Sequence, residues 1–285
     1  MNDTTASAAT ELPAVVLEAR CSTRHYWRDL WQYRELLYFL AWRDVKVRYK
    51  QAVLGAAWAL IQPVVTMVLF TFVFKKLANM PSGSIPAEAY PLLVMSGLLP
   101  WQLFSSALSG SSASLVGNAH LVSKVYFPRL IVPLASLAVA LVDFAIVLVL
   151  YAVMAVWFGF LPGWHVVFLP LFVAAALVIA LGAGLWLTAL TVKYRDFRFI
   201  VPFLLQVGVF ATPVGYRADT LHSWSGILAL NPLTGVIEGF RWCLLQGDFR
   251  LSPGSLAVSA ATGACLVASG VWYFRSTERT FADVI

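Results

Sequence analysis

The chain has 285 residues, of which 60% are hydrophobic and 12% charged; its mean hydropathy is +0.78 and its net charge +6. Soluble domains are nearer half apolar and a quarter charged, so a water-soluble core cannot hide this much apolar surface, and the composition is that of a polytopic membrane protein. Basic residues placed to set topology and to meet anionic headgroups account for the positive charge, which excludes nucleic acid as the partner.

Residues 1–24 form a polar extension without the basic start and short apolar core of a cleavable signal peptide. Residues 25–50 follow as one helix. Trp27, Leu30, Trp31, Arg34, Leu37, Tyr38 and Ala41 recur at three- and four-residue steps, with Arg and Lys between the aromatics. That pattern fits an amphipathic helix lying in the cytoplasmic interface, and equally a helix docked on a soluble partner. Arg43, Lys46, Arg48 and Lys50 then lead into residues 53–74, which carry no charge. At 1.5 Å per residue this stretch crosses a bilayer about once, starting from the side that retains Lys and Arg.

The transmembrane domain is placed at residues 51–277, with spans near 53–74, 92–116, 130–160, 166–192, 199–216 and 255–274, and a cytoplasmic tail at 278–285. The spans must be helical, because lipid offers backbone groups no other partner. The fifth is short and contains Pro202 and Pro213, while Pro63 and Pro100 predict kinks in the first and second. With both termini inside, 15 of the 20 Lys and Arg residues are cytoplasmic, and the outside holds Lys75, Lys76, Arg217, Arg241 and Arg250. Lys75 and Lys76 are the discordant pair, at the outer end of the first span, where long side chains snorkel to headgroups. The fold class is therefore all-α, with six transmembrane helices, N-in and C-in, and an N-terminal interface helix.

Two connecting segments stand out. In residues 117–133, Asn118 is placed to cap a short helix that Pro128 ends. Lys124 and Tyr126 give it a polar side, and Leu121, Val122 and Val125 an apolar one. Such a helix suits a groove on a partner, or is a simple connecting turn. Between the fifth and sixth spans, Asn231 as cap and Pro232 at the first position begin a moderately apolar helix, with Glu238 and Arg241 spaced to pair. It reads as a re-entrant or interfacial helix at the outer surface, or as an ordinary loop helix.

The sequence has no Gly-rich phosphate loop followed by Lys-Ser/Thr, no H-E-x-x-H and no serine nucleophile elbow. Cys21, Cys243 and Cys265 and the histidines His25, His120, His165 and His222 are dispersed, so neither a disulfide framework nor a metal site is expected. Asp143 is the one formal charge inside the spans. An intramembrane carboxylate is either functional or hydrogen-bonded between helices beside a wet cavity. A membrane glycosyltransferase would need clustered carboxylates or basic residues at the membrane surface, yet Asp196 is the only inner-loop carboxylate between spans. No catalytic residue, metal or bound cofactor is expected, so the energy for uphill transport must enter from elsewhere.

Five segments together resemble a known family: VRYKQAVLGAAWALIQP (47–63), GLLPWQLFSSAL (97–108), GNAHLVSKVYFPRLIVPLA (117–135), VKYRDFRFIVP (192–202) and NPLTGVIEGFRW (231–242). In this order they resemble the membrane subunits of type-2 ABC exporters for bacterial surface polysaccharides, nearest to the O-antigen exporters, with capsule and teichoic-acid exporters as relatives. Permeases for drugs or lipids share the same architecture. The resemblance implies a homodimer in the bacterial inner membrane, paired with two copies of a separate ATPase that binds the ATP. It implies an undecaprenyl-linked polysaccharide as substrate. It makes Asn118, His120, Leu121, Val122, Lys124, Val125 and Tyr126 a coupling helix for the ATPase. It makes residues 218–247 short re-entrant helices at the outer mouth, with Asn231, Pro232, Glu238 and Arg241 as gate candidates. A glycan path needs aromatic faces and small hydroxyls rather than fixed charges. Candidates are Trp101, Phe104, Ser105, Ser109, Ser112, Phe144, Tyr151, Phe210 and Tyr216. The competing role for each is helix packing or contact with lipid.

Overall fold

A computed structural model of the chain describes residues 23–50, 55–81, 85–217, 228, 230–245, 251–278 and 281. The expectations for residues 1–22, 51–54, 82–84, 218–227, 229, 246–250, 279–280 and 282–285, Arg250 among them, lie outside the described residues. Among the described residues the chain is 86% helix and has no strand.

Helices α1 (Thr23–Gln32) and α2 (Arg34–Lys50) are joined across Tyr33 by Tyr33 N–H to Asp29 C=O (3.0 Å) and Leu37 N–H to Tyr33 C=O (3.1 Å). Leu40 is buried, while Trp31, Tyr38, Phe39 and Trp42 are exposed. That division suits a helix with one face on protein and one at a lipid boundary. Helix α3 (Gly55–Phe70) continues as a π-helix through Thr71–Leu77. Then come α4 (Tyr90–Gly117), the short α5 (Ala119–Lys124), α6 (Ile131–Trp157), α7 (Leu169–Lys193) behind a 3-10 turn (Trp164–Phe168), and α8 (Phe197–Ala211). Helices α9 (Pro232–Leu244) and α10 (Pro253–Thr277) complete the described fold.

Five helical stretches are long and apolar enough to cross a membrane: Ala57–Leu77, Ala87–Gly117, Ile131–Trp157, Trp164–Lys193 and Pro253–Thr277. The expected fifth crossing differs. Helix α8 stops at Ala211 after 15 residues, and residues 212–216 continue as buried irregular chain. Pro213 is the cause, because it disfavours a helical residue before it; Thr212 is accordingly extended (φ −111°, ψ 141°).

Helix α4 is the centre, with α6 and α7 packed on it and α10 on α7. Small residues bring the backbones together, as apolar surroundings require. A Cβ at Gly182 would lie 2.6 Å from Val267 N, and one at Gly270 2.5 Å from the Gly182 carbonyl oxygen. Trp186 stacks on Tyr273 beside this contact, ring centroids 4.1 Å apart.

Two apolar clusters mark opposite ends of the bundle. One gathers Tyr26, Leu40, Leu115, Val122, Phe127, Val192 and Phe274. The other gathers Phe70, Tyr90, Tyr151, Phe172, Val214 and Phe240. Successive long helices therefore alternate in direction. The segments expected at the cytoplasmic face meet in the first cluster.

Candidate functional site

The polar face of the second span is built as a wall of a cavity. Its volume is about 600 Å³, and Trp101, Gln102, Ser105, Ser106 and Ser109 of α4 line it. Helix α3 adds Gln62, α6 adds Asp143 and Phe144, and α8 adds Pro202 and Leu205. Serine spacing explains the alignment, since positions three and four apart share a helix face.

Asp143 does not stand alone. Its Oδ2 pairs with Arg48 Nη2 at 2.6 Å, its Oδ1 accepts the Tyr49 hydroxyl, and Ser106 Oγ donates to Oδ2 at 3.4 Å. The carboxylate is thus neutralised by the interface helix α2, which reaches it because α2 lies along α6. Burial, and then the hydrogen bond to Asp143, push the Tyr49 hydroxyl up to about 12, so it stays protonated and remains a donor. The hydrogen-bonded reading of Asp143 is the one the geometry supports. Sequence reasoning missed Arg48 and Tyr49 as its partners. The available signal was a basic run beside a single intramembrane acid.

Of the nine channel candidates, Trp101, Ser105, Ser109 and Phe144 line this cavity. Trp101 also packs tightly on α8, where a Cβ at Gly208 would sit 2.8 Å from its ring. Phe104 is half-buried beside Trp101, ring centroids 5.8 Å apart. Ser112 is buried and donates to the Ser109 carbonyl at 2.8 Å. Tyr151 is buried at the other end of α6, donating to the Leu244 carbonyl at 3.2 Å. Phe210 is exposed and packs on Phe70, while Tyr216 is buried against Phe74. These last side chains do not join the cavity wall.

The segment expected to couple to a partner is helical but shorter than anticipated. Helix α5 ends at Lys124, and Val125 is already extended (φ −123°, ψ 133°) before Pro128 is reached. Asn118 occupies the N-cap position without a side-chain cap bond. Its Oδ1 instead accepts from Arg43 Nη2 at 2.5 Å, and its Nδ2 donates to the Ser114 carbonyl at 2.9 Å. Val122 is buried and Leu121 partly so, whereas His120, Lys124, Val125 and Tyr126 are exposed. Helix α2 therefore touches both the start of α5, through Arg43, and the cavity, through Arg48. Beyond α5, the backbone N–H of Arg129 donates to Glu278 Oε1 at 3.0 Å, and Tyr26 hydroxyl faces the same oxygen at 3.4 Å. Burial raises the Glu278 carboxyl above its ordinary range.

The expected outer charge Arg241 is a correction: it is only 2% exposed. Helix α9 is packed between α4, α7 and α10, and Gly235 and Gly239 allow the approach. A Cβ at Gly239 would overlap Phe172, and one at Gly235 would lie 2.5 Å from Ser259 Oγ. The Arg241 guanidinium donates to the carbonyls of Tyr216 (2.9 Å), Pro213 (2.9 Å) and Val214 (2.8 Å). These are the carbonyls that the broken α8 leaves without helical donors. Tyr90 hydroxyl takes the Gly215 carbonyl at 2.8 Å. Gly97 makes room, since a Cβ there would overlap the Val214 carbonyl oxygen. Asn231 caps α9 as expected, accepting from Leu233 N–H at 3.0 Å, with Pro232 at the first position. Glu238 accepts from Ser255 Oγ of α10.

Long apolar helices around a polar cavity, bordered by the basic helix α2, define the membrane domain of a multi-pass transporter. Residues 35–245 match the model of the ABC-2 type transporter family, and the chain belongs to that family. It is similar to the O-antigen export system permease protein RfbA of Myxococcus xanthus, 31% identical over 263 residues that cover 90% of this chain and 98% of that protein. RfbA of Klebsiella pneumoniae is 26% identical over 88% of this chain and 95% of its own length. The polysialic acid transport protein KpsM of Escherichia coli is 26% identical over 72% and 79% respectively. The resemblance carried by the five sequence segments is thereby borne out.

Proposed function

We propose that this chain is the membrane permease of an ATP-driven exporter that moves a lipid-linked polysaccharide across the bacterial inner membrane. It works as a homodimer with two copies of a separate ABC ATPase, and the carrier is an undecaprenyl lipid. The observation that carries this reading is the cavity of serines, glutamines and aromatic rings, whose one carboxylate is held by Arg48. Such a wall offers hydroxyl partners and ring faces to a glycan and little net charge to an ion. The permeases for O-antigen and polysialic acid among its relatives favour a glycan over a drug or a simple lipid.

In this reading the chain crosses six times, with both termini in the cytoplasm. The fifth crossing is α8 completed by the irregular residues 212–216, and α9 is a re-entrant element at the outer mouth. Helix α5 docks in the ATPase. Its exposed His120 and Lys124, with Val125 and Tyr126 just beyond its end, supply the contact, and Arg43 on Asn118 passes its displacement to α2.

Replacing residues 121–126 with a Gly-Ser segment of equal length is expected to leave a membrane-inserted complex that hydrolyses ATP while surface glycan falls to background. Undiminished export would refute the coupling role, and failure of an ATPase to co-purify with the unaltered chain would refute the proposed machine. For topology, cysteines at Lys76, Lys124 and Arg195, all exposed positions, are expected to react with an impermeant thiol reagent only from outside at 76 and only from inside at 124 and 195. The reverse pattern would overturn it.

A further inference from the structure

The discordant Lys75 and Lys76 sit in the π-helical continuation of α3, at the end away from the basic run of α2. A π-turn widens the helix and is costly to keep, and such turns concentrate at functional positions. This one borders a groove of about 610 Å³ between α3 and the start of α4. Met67, Val68, Phe72 and Pro91 form its apolar floor, and Lys75, Lys76 and Asn79 its polar rim. Among the described residues neither lysine has a carboxylate partner. Lys75 Nζ lies 5.5 Å from the Tyr90 ring centroid and Lys76 Nζ 5.9 Å from that of Phe72. Ring faces hold the ammonium groups in place but leave their charge and their N–H donors unspent. Asn79, with φ 50°, turns the chain at the rim, and Met80 N–H returns to the Phe74 carbonyl at 2.9 Å.

We infer that this groove is a binding site for one anionic glycerophospholipid of the outer leaflet. The headgroup phosphate lies between Lys75 and Lys76, and an acyl chain lies along Met67, Val68 and Phe72. Charge complementarity selects this occupant. A zwitterionic lipid brings its own cation to the phosphate and gains little from two more, whereas an anionic headgroup is attracted by about five-fold in affinity per lysine. Simple snorkelling would place the two amines in water or headgroups at large. Here they border one groove with an apolar floor. The inference is independent of what the protein exports; only the choice of leaflet rests on the topology proposed above.

The test uses the full chain in nanodiscs containing a trace of photoreactive phosphatidylglycerol or, in parallel, photoreactive phosphatidylcholine, followed by peptide mapping. Phosphatidylglycerol is expected to label residues 67–79 far more than phosphatidylcholine does. Lys75→Gln with Lys76→Gln should lower that label by about thirty-fold, while label on residues 39–50 of the basic helix α2 stays unchanged and reports a folded chain. Lys75→Arg with Lys76→Arg should keep the label. Equal labelling by the two lipids, or label indifferent to the glutamine pair, would overturn the site. So would cross-links from 67–79 to a second copy of the chain in place of lipid, and so would a shadowing of phosphatidylglycerol by added polyprenyl phosphate at equimolar amounts.

Discussion

Arg241→Leu is expected to cost at least about 3 kcal/mol of stability, because it strands three buried carbonyls at roughly 1–3 kcal/mol each. Leucine fills much of the same volume, so the loss isolates the guanidinium. The carbonyls of Pro213, Val214 and Tyr216 lie where the chain has left helical geometry, and apolar surroundings offer them no water. Arg241→Lys should recover only part of the loss, since a single ammonium on a flexible stem cannot reproduce the planar fork across three acceptors. The readouts are the amount of chain in the membrane and the unfolding midpoint of purified protein. An Arg241→Leu chain that accumulates and melts like the unaltered one would remove Arg241 as the clamp of the broken span.

The second large effect is expected at the cavity. Asp143→Leu removes the acceptor of Tyr49 and Ser106 and leaves Arg48 without its carboxylate. Export should fall well below that of Asp143→Asn, which still accepts the Tyr49 hydroxyl. Arg48 is half exposed, with 51% side-chain accessibility, so solvent screens the ion pair. The stability difference for Asp143→Asn alone should therefore stay near 1 kcal/mol or below. A double-mutant cycle of Arg48→Gln and Asp143→Asn should give a coupling of about 0.5–1 kcal/mol in unfolding. The exchange Arg48→Asp with Asp143→Arg should export better than either single reversal. Strict additivity in both assays would mean that the contact links nothing between α2 and α6.

Much of the architecture was legible because membrane constraints act locally. Twenty apolar residues bounded by charge imply a helix wherever they occur, so four of the expected spans recur within a few residues as α4, α6, α7 and α10, and the first recurs where it is described. The Asn231–Pro232 start of α9 was legible for the same reason: a cap is a contact between residues two or three apart. The fifth span was legible only as an anomaly. Pro213 announced a break, yet nothing nearby in the chain says which donor repairs it.

The site divides along the same line. Serines 105 and 109 could be aligned from helical spacing, and they do face the cavity. Tyr151 and Tyr216 share the chemistry but sit in packed positions, because which face of a helix meets a void depends on its neighbours. Asn118 had two possible acceptor roles, capping its own helix or receiving Arg43, and the proximity of α2 selected the second. Arg241 was read as an outer charge because the positive-inside rule counts residues by loop and is blind to a helix folded back into protein.

Membrane residence, helix order, the basic approach to the first span and family membership all follow from patterns within a few tens of residues, where apolar length and charge order suffice. The pairing of Arg48 with Asp143, the clamp of Arg241 on the broken span, and the groove that gathers Lys75 and Lys76 join groups from different helices. Those contacts exist only once packing sets interhelical distances, because a polar group in an apolar surround takes whichever partner the fold brings within reach.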